Sequence, residues 1–386
     1  MRTVLALIAL FLAYPEASRA DIVVGFVSGL SGAVSSIGIP NAKGIAAGLA
    51  YRGEVGGEKI RLIQLDDASD PTTSARDARK LIEQEKVDFL LGTSGAPQTF
   101  AMATTAAELA TPMIAISPIA TPPVGAGGPW VVQIPQPQSL LMQGVVDDMK
   151  ARGVHSVGFI GFSDALGDLM HDALQERASP AGIKLVNDER YARTDTSVAA
   201  QVLKTIALRP DAVMIGGTAT PGALPVLALK ERGYKGLIYG NNGVMSPDFL
   251  RLAGKAAEGM IAPTGPVIVA EQLPSDDPIR KVALAYRDAY AKTNGAPATD
   301  GFAPYAFDGW VVFLDVAGRA LATGAKPGTP EFKSALRTAL FSTKEVVGTQ
   351  GIYNFSPASS YGVDARSRVL VQLTGGSWAL LPAAAK

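Results

Sequence analysis

Apolar runs that stop abruptly in small polar residues, separated by segments of helical periodicity, constrain this chain more than any other feature. Val87–Leu91, apolar but for Asp88, halts at Gly92-Thr93-Ser94-Gly95-Ala96-Pro97. Met113–Ile116 halts at Ser117-Pro118-Ile119-Ala120-Thr121, and Ala212–Ile215 at Gly216-Gly217-Thr218. Gly236–Tyr239 runs into Gly240-Asn241-Asn242-Gly243. Runs of this kind suit strands buried on both faces of a parallel sheet. Between them, Ala75, Ala78, Leu81 and Ile82 mark one face of a helix, with Asp70-Pro71 as its N-cap and first residue. Strand, helix, strand, helix is the rhythm of a doubly wound α/β sheet, whose ligands lie at the carboxyl ends of the strands.

The rhythm occurs twice. Strands are predicted over 21–29, 59–65, 87–91 and 113–116, then over 154–162, 183–186, 212–215 and 236–239. The Pro/Gln stretch Gln133–Gln138 separates the two runs. Long helices are predicted over 278–292 and 306–321, and the tail turns strand-like at 352–355 and 369–373. At 386 residues and 47% hydrophobic, the chain is long enough for two domains.

Charge and cysteine content narrow the function. Lys+Arg and Asp+Glu both number 35, so no basic excess is available to neutralise phosphates, which argues against a nucleic-acid partner. With no cysteine, disulfides, thiolate metal sites, Cys nucleophiles and a lipidated cysteine are all excluded. Residues 1–20 have the pattern of an export signal: Arg2, a short apolar run Val4–Ala13, and Ser18-Arg19-Ala20 at the cleavage point. The run is too short for a membrane anchor, which needs about 20 apolar residues. The mature chain is expected to begin at Asp21 in the periplasm.

Seven stretches in order carry a resemblance: GLSGAVSSIG (29–38), DDASDP (66–71), FLLGTSGAP (89–97), PMIAISPIAT (112–121), FIGFSDALGD (159–168), PDAVMIGG (210–217) and AAEGM (256–260). Together they resemble the periplasmic leucine/isoleucine/valine-binding protein family, the type I substrate-binding proteins of ABC importers. The resemblance implies an α/β fold of two Rossmann-like doubly wound lobes joined by three hinge crossings near 134–137, 262–265 and 348–353. One lobe would comprise 21–136 with 266–349, the other 137–265 with 350–386. It also implies a monomer that binds a small carboxylate between closing lobes, uses no cofactor, and delivers its ligand to an inner-membrane ABC permease.

The resemblance assigns ligand contacts as well. In the first lobe the carboxylate grip would fall on Ser94, Gly95, Ala96, Ala120 and Thr121, because a desolvated carboxylate needs several donors aimed at it. Ala96 stands where the family commonly has Ser, and Ser94 and Thr121 could instead simply cap helices. Further contacts would be Ile37, Leu166 and Thr218, at positions aromatic in amino-acid binders, with Tyr305 and Phe307 as a possible aromatic wall. The second-lobe loop supplies Asn241 and Asn242, where amino-acid binders place a carboxylate for the ligand ammonium. A neutral Asn is a weaker partner for a buried cation. The expected ligand is therefore an apolar or aromatic monocarboxylate, with branched-chain or other amino acids as the alternative if Asp164 or another acid supplies the charge.

Two other function classes bear on such a chain. A sensor module presenting its ligand to a membrane receptor would use the same closed form. An exported hydrolase would need catalytic groups, but His155 and His171 lack partners at catalytic or metal-ligand spacing, and no nucleophile elbow, P-loop or dinucleotide fingerprint is present. Asp66 and Asp67 are adjacent on a strand end and point to opposite faces, which makes a poor acid/base pair.

Overall fold

The computed structural model describes residues 21–382, so the predicted export signal lies outside the described residues. Two sheets organise the chain. The first runs in the order Glu54–Val55, Glu58–Asp66, Ile22–Ser28, Phe89–Gly92, Met113–Ala115, Val131–Gln133. Its strands from Glu58–Asp66 onward are parallel, and Val27 pairs with Gly92. The second runs Lys184–Tyr191, Ser156–Phe162, Ala212–Gly216, Leu237–Tyr239, Ile261–Thr264, Val369–Thr374, Ser377–Leu380. It is parallel up to Ile261–Thr264 and antiparallel beyond it.

Helices cover both faces of each sheet because the strands are apolar on both sides; Phe89–Gly92 and Ala212–Gly216 are buried throughout. In the first lobe Phe89 packs on Phe313, and Phe313 on Trp310. In the second, Phe159, Phe162, Met170 and Met214 lie in one buried cluster. Helix starts follow local chemistry. The Asp70 carboxylate accepts from the Thr73 N–H, with Pro71 next in line. The Asp164 carboxylate accepts from the Leu166 and Gly167 N–H groups and so opens helix Ala165–Ala178.

The strand and helix expectations correspond to elements of the structure, with ends shifted by a few residues. Three helices were not anticipated: Gln138–Ala151, directly after the Pro/Gln stretch, the short Pro247–Ala253, and Pro330–Leu340. Helix Ser35–Tyr51 packs close against the end of strand Ile22–Ser28. Gly38 permits this close approach: a Cβ there would stand 2.0 Å from the Gly29 carbonyl oxygen.

The segments linking the two sheets are tied to one another. The Gln136 side-chain amide donates to the carbonyls of Gln350 (3.2 Å) and Ser367 (2.8 Å). The Gln350 amide donates to the Gly301 carbonyl at 3.0 Å. Residues 352–361 lie against the first sheet, where the Gln133 N–H donates to the Ser360 carbonyl and the Tyr361 hydroxyl to that of Ile119.

Candidate functional site

A cleft of about 50 Å³ lies between the carboxyl ends of the two sheets. From the first lobe it is lined by Ile37 and Asn41 of helix Ser35–Tyr51, by Ser94, by Ile116, Ser117 and Pro118, and by Phe302 and Tyr305 at the start of helix Ala303–Leu321. From the second come Gln138, Leu166 and Met170, Thr218, and Asn242 with Gly243. Pro135, in the first linking segment, completes the lining.

Ser94 is fixed by the pairing of neighbouring strands. Its Oγ lies 2.7 Å from Ser28 Oγ and accepts from the Gly29 N–H at 3.1 Å. Gly95 and Ala96 follow it as the N-cap and first residue of helix Ala96–Glu108. Other helices also start at the cleft: Gln138 and Leu166 lie in the first turns of theirs, and Thr218 and Phe302 are N-caps. The starts at Leu166 and Phe302 are already capped by the Asp164 and Asp300 carboxylates, but those of helices Ala96–Glu108, Gln138–Ala151 and Ala219–Glu231 have no side-chain cap, and their partial positive charge and open N–H groups favour an anion.

None of the lining residues is Asp, Glu, Lys, Arg or His. The acids nearby are engaged elsewhere. Asp164 caps its helix and pairs with Arg193 at 2.6 Å, so it is not free to meet a ligand ammonium. Asp308, one turn beyond Tyr305, is fully buried and accepts from the Thr349 and Gln350 N–H groups and the Tyr353 hydroxyl. Burial pushes its carboxyl up to about 6, against these hydrogen bonds.

One polar chain crosses the cleft. The Asn242 amide donates to Tyr305 Oη at 2.9 Å, and Tyr305 donates to Gln136 Oε1 at 2.5 Å. Burial pushes the Tyr305 phenol well above its usual range, so it remains a donor. Other groups are left open. Gln138 is 4% exposed, and neither its Nε2 nor its Oε1 has a hydrogen-bond partner; Thr218 Oγ1 is buried and equally unpartnered. A buried amide without partners is costly in a closed protein, so these atoms are placed to meet a ligand or water.

The structure thus brings Ile37, Ser94, Leu166, Thr218 and Asn242 to one cleft. Asn241 sits beside it with its side chain committed to backbone: it donates to the Ile215 and Gly217 carbonyls and accepts from the Gly243 N–H. Ala120 and Thr121 are exposed and outside the lining. The reason is local: the Ile119 N–H donates to Gln133 Oε1 and its carbonyl accepts from Tyr361, which turns Ile119 inward and the next two residues out. Phe307 packs with Tyr51 and Tyr286 rather than walling the cleft. Gln138, Asn41, Met170, Ser117 and Phe302 were not anticipated. Only the Pro-x-Pro before Gln138 hinted at a constrained start there.

Among the described residues no cluster of His, Cys, Asp and Glu is suited to a metal ion, and no helix is long and apolar enough to cross a membrane. A family model described as periplasmic binding protein matches residues 21–359. A solved extracellular ligand-binding receptor from Rhodopseudomonas palustris is 39% identical, covers 94% of this chain and all of its own, and superposes with a TM-score of 0.89. An amino acid binding protein of Pseudomonas aeruginosa is 27% identical over 244 residues, 61% of this chain; the match spans 64% of that protein's length. A solute-binding protein of an ABC transporter from R. palustris, solved with benzoate, shares the fold at 20% identity over 95% of this chain and 98% of its own, with a TM-score of 0.72.

Proposed function

The chain belongs to the periplasmic binding protein family, and from that premise we propose that it is the solute-binding component of an ABC importer, capturing an apolar or aromatic monocarboxylate between two closing lobes. The observation that carries the ligand class is the cleft itself: the uncapped N-termini of helices Ala96–Glu108, Gln138–Ala151 and Ala219–Glu231 converge on it, and no acidic side chain lines it. An anion gains from the first property, and a ligand ammonium gains nothing from the second. The R. palustris protein solved with benzoate, which shares the fold, supports this reading.

In this reading the lobes are 21–136 with 266–349 and 137–265 with 350–386, except that residues 352–361 go with the first lobe, against whose sheet they lie, and the chain is exported to the periplasm after cleavage at Ala20. Ser94, Ser117 and nearby backbone N–H groups, including those of Gly95 and Ala96, grip the carboxylate. Ile37, Leu166, Met170 and Phe302 enclose the apolar body. Gln138 and Thr218, unpartnered and on the other lobe, meet a hydroxyl or carbonyl on the far end. Closure follows from the ligand's better contacts in the closed form, the chemistry is reversible binding, and the closed monomer docks on its permease. Asn242 takes part through Tyr305, and Asn241 shapes the loop that holds it.

Amino acids are the second reading, favoured by the name of the Pseudomonas relative. The deciding experiment is calorimetry on residues 21–386 with benzoate, 4-hydroxybenzoate, cinnamate, phenylpropanoate, leucine and valine. Binding of the aromatic acids, strongest for those with a distal hydroxyl, supports the proposal. Binding of leucine or valine alone overturns the ligand class and leaves the transport role.

A further inference from the structure

A second cavity, of about 260 Å³, lies between the same two lobes on the other side of the Asn242 loop. Tyr286, Asp300 and Pro304 face it from the first lobe, and Met245, Leu250 and Trp378 from the second. The exposed residues Thr299, Gly376 and Ser377 stand at its edge and give it a route to solvent.

Its polar groups are unspent. Tyr286 is fully buried and its hydroxyl has no hydrogen-bond partner. Trp378 Nε1 is likewise buried and unpartnered. The two donors belong to opposite lobes, on helix Pro278–Asn294 and strand Ser377–Leu380. Asp300 accepts the Phe302 and Ala303 N–H groups on Oδ1 alone, at 2.8 and 2.7 Å, which leaves Oδ2 to accept a further bond. Arg287, the cation at this wall, is already held by Glu271 and the Val267 and Ile268 carbonyls.

We infer that this cavity is a second binding site, for a small neutral ring or chain bearing a hydroxyl or primary carboxamide. Such a group accepts from Tyr286 or Trp378 and donates to Asp300, while Met245, Leu250 and Pro304 contact its apolar part. An anion is disfavoured beside Asp300, so the cleft and this cavity select different ligands.

The two sites share a wall. Asn242 and Tyr305 face the cleft, while Met245 and Pro304, three residues on and one before, face the cavity. Within that wall the Gly301 N–H donates to the Met245 carbonyl at 2.7 Å, lobe to lobe. A molecule touching both Tyr286 and Trp378 therefore stabilises the closed arrangement, and by reciprocity each ligand raises the affinity of the other. The coupling rests on the proposed closure; the second site does not.

The test uses residues 21–386 with benzamide and benzyl alcohol as probes and benzoate as the cleft ligand, read by calorimetry and tryptophan fluorescence. Saturable probe binding that persists at saturating benzoate and tightens severalfold is expected. Tyr286→Phe should weaken the probes about fivefold, the effect of one lost hydrogen bond, and leave benzoate within twofold; Leu250→Trp, which fills the cavity, should abolish probe binding. No saturable probe binding at millimolar concentration, competition between probe and benzoate, or binding unchanged in both variants would overturn the site. Saturable probe binding with the expected effects of both variants, in a protein that ignores benzoate, would uphold this site while removing the carboxylate reading of the cleft.

Discussion

Asn242, on the loop after strand Leu237–Tyr239, donates its amide to the Tyr305 hydroxyl on the opposite lobe at 2.9 Å, and Tyr305 passes a hydrogen bond on to Gln136 in the first linking segment. The resemblance implies that this loop meets the ligand directly; in the structure its Asn242 side chain meets the other lobe. In the proposed closure the bridge forms only when the lobes are together, so it biases that equilibrium whichever ligand is bound.

Tyr305→Phe keeps the ring and removes the bridge. Asn242 and Gln136 each lose a partner, at a cost of about 1 kcal/mol to the closed form. We expect roughly fivefold weaker binding of every ligand, appearing mainly as faster dissociation in stopped-flow experiments. An effect restricted to one ligand would mean that Tyr305 contacts the ligand and does not latch the lobes.

Asn242→Asp places a charge in a cleft that has none. A bound monocarboxylate should weaken by tenfold or more through like-charge repulsion, and an α-amino acid should bind more tightly. Calorimetry with benzoate and leucine checks both directions. Parallel changes for the two ligands would remove Asn242 from the specificity of the site.

Much of this arrangement was legible in sequence because it is local. Strands such as Phe89–Gly92 and Met113–Ala115 announce themselves as apolar runs broken by Gly or Ser, and the loops after them had to face the ligand edge of the sheet. Asp164 as a helix cap follows from its place before Ala165–Ala178. What was not legible depends on distant partners. Thr121 is turned away because Ile119 is held by Tyr361, 242 residues further on. Gln138 reads as the end of a Pro/Gln linker because Pro135 and Pro137 precede it, yet Pro137 is the N-cap of a helix whose buried Leu141, Val145 and Met149 recur every four residues. That its amide is left without a partner is a property of the assembled cleft, invisible in any window of the chain.

Gln138→Leu separates stability from recognition. The unpartnered amide costs the free protein its desolvation, so an apolar side chain of similar size should leave the melting temperature unchanged or raise it. The same change should weaken a ligand with a distal hydroxyl about tenfold and spare benzoate. Thermal denaturation without ligand and calorimetry with 4-hydroxybenzoate and benzoate measure the two effects separately. A lower melting temperature with unaltered affinities would make Gln138 a packing residue.

Asp67 gives a pH dependence with a definite sign. It lies at the end of strand Glu58–Asp66, fully buried, with Oδ1 accepting from the Ser69 N–H and Oδ2 unpartnered. Burial raises its carboxyl from 3.8 to about 6, outweighing the Ser69 hydrogen bond. The folded state therefore binds the proton more tightly than the unfolded state. The contribution of Asp67 to stability is full below about pH 4, declines as pH rises toward 6, and is lost above that. Asp67→Asn keeps the acceptor for Ser69 and removes the buried charge, so it should stabilise the protein at pH 7 by about 1–2 kcal/mol. It should also flatten the fall in stability between pH 4 and 6. Urea denaturation of both proteins across that range is the measurement, and parallel pH profiles for the two would show that Asp67 does not titrate in this window.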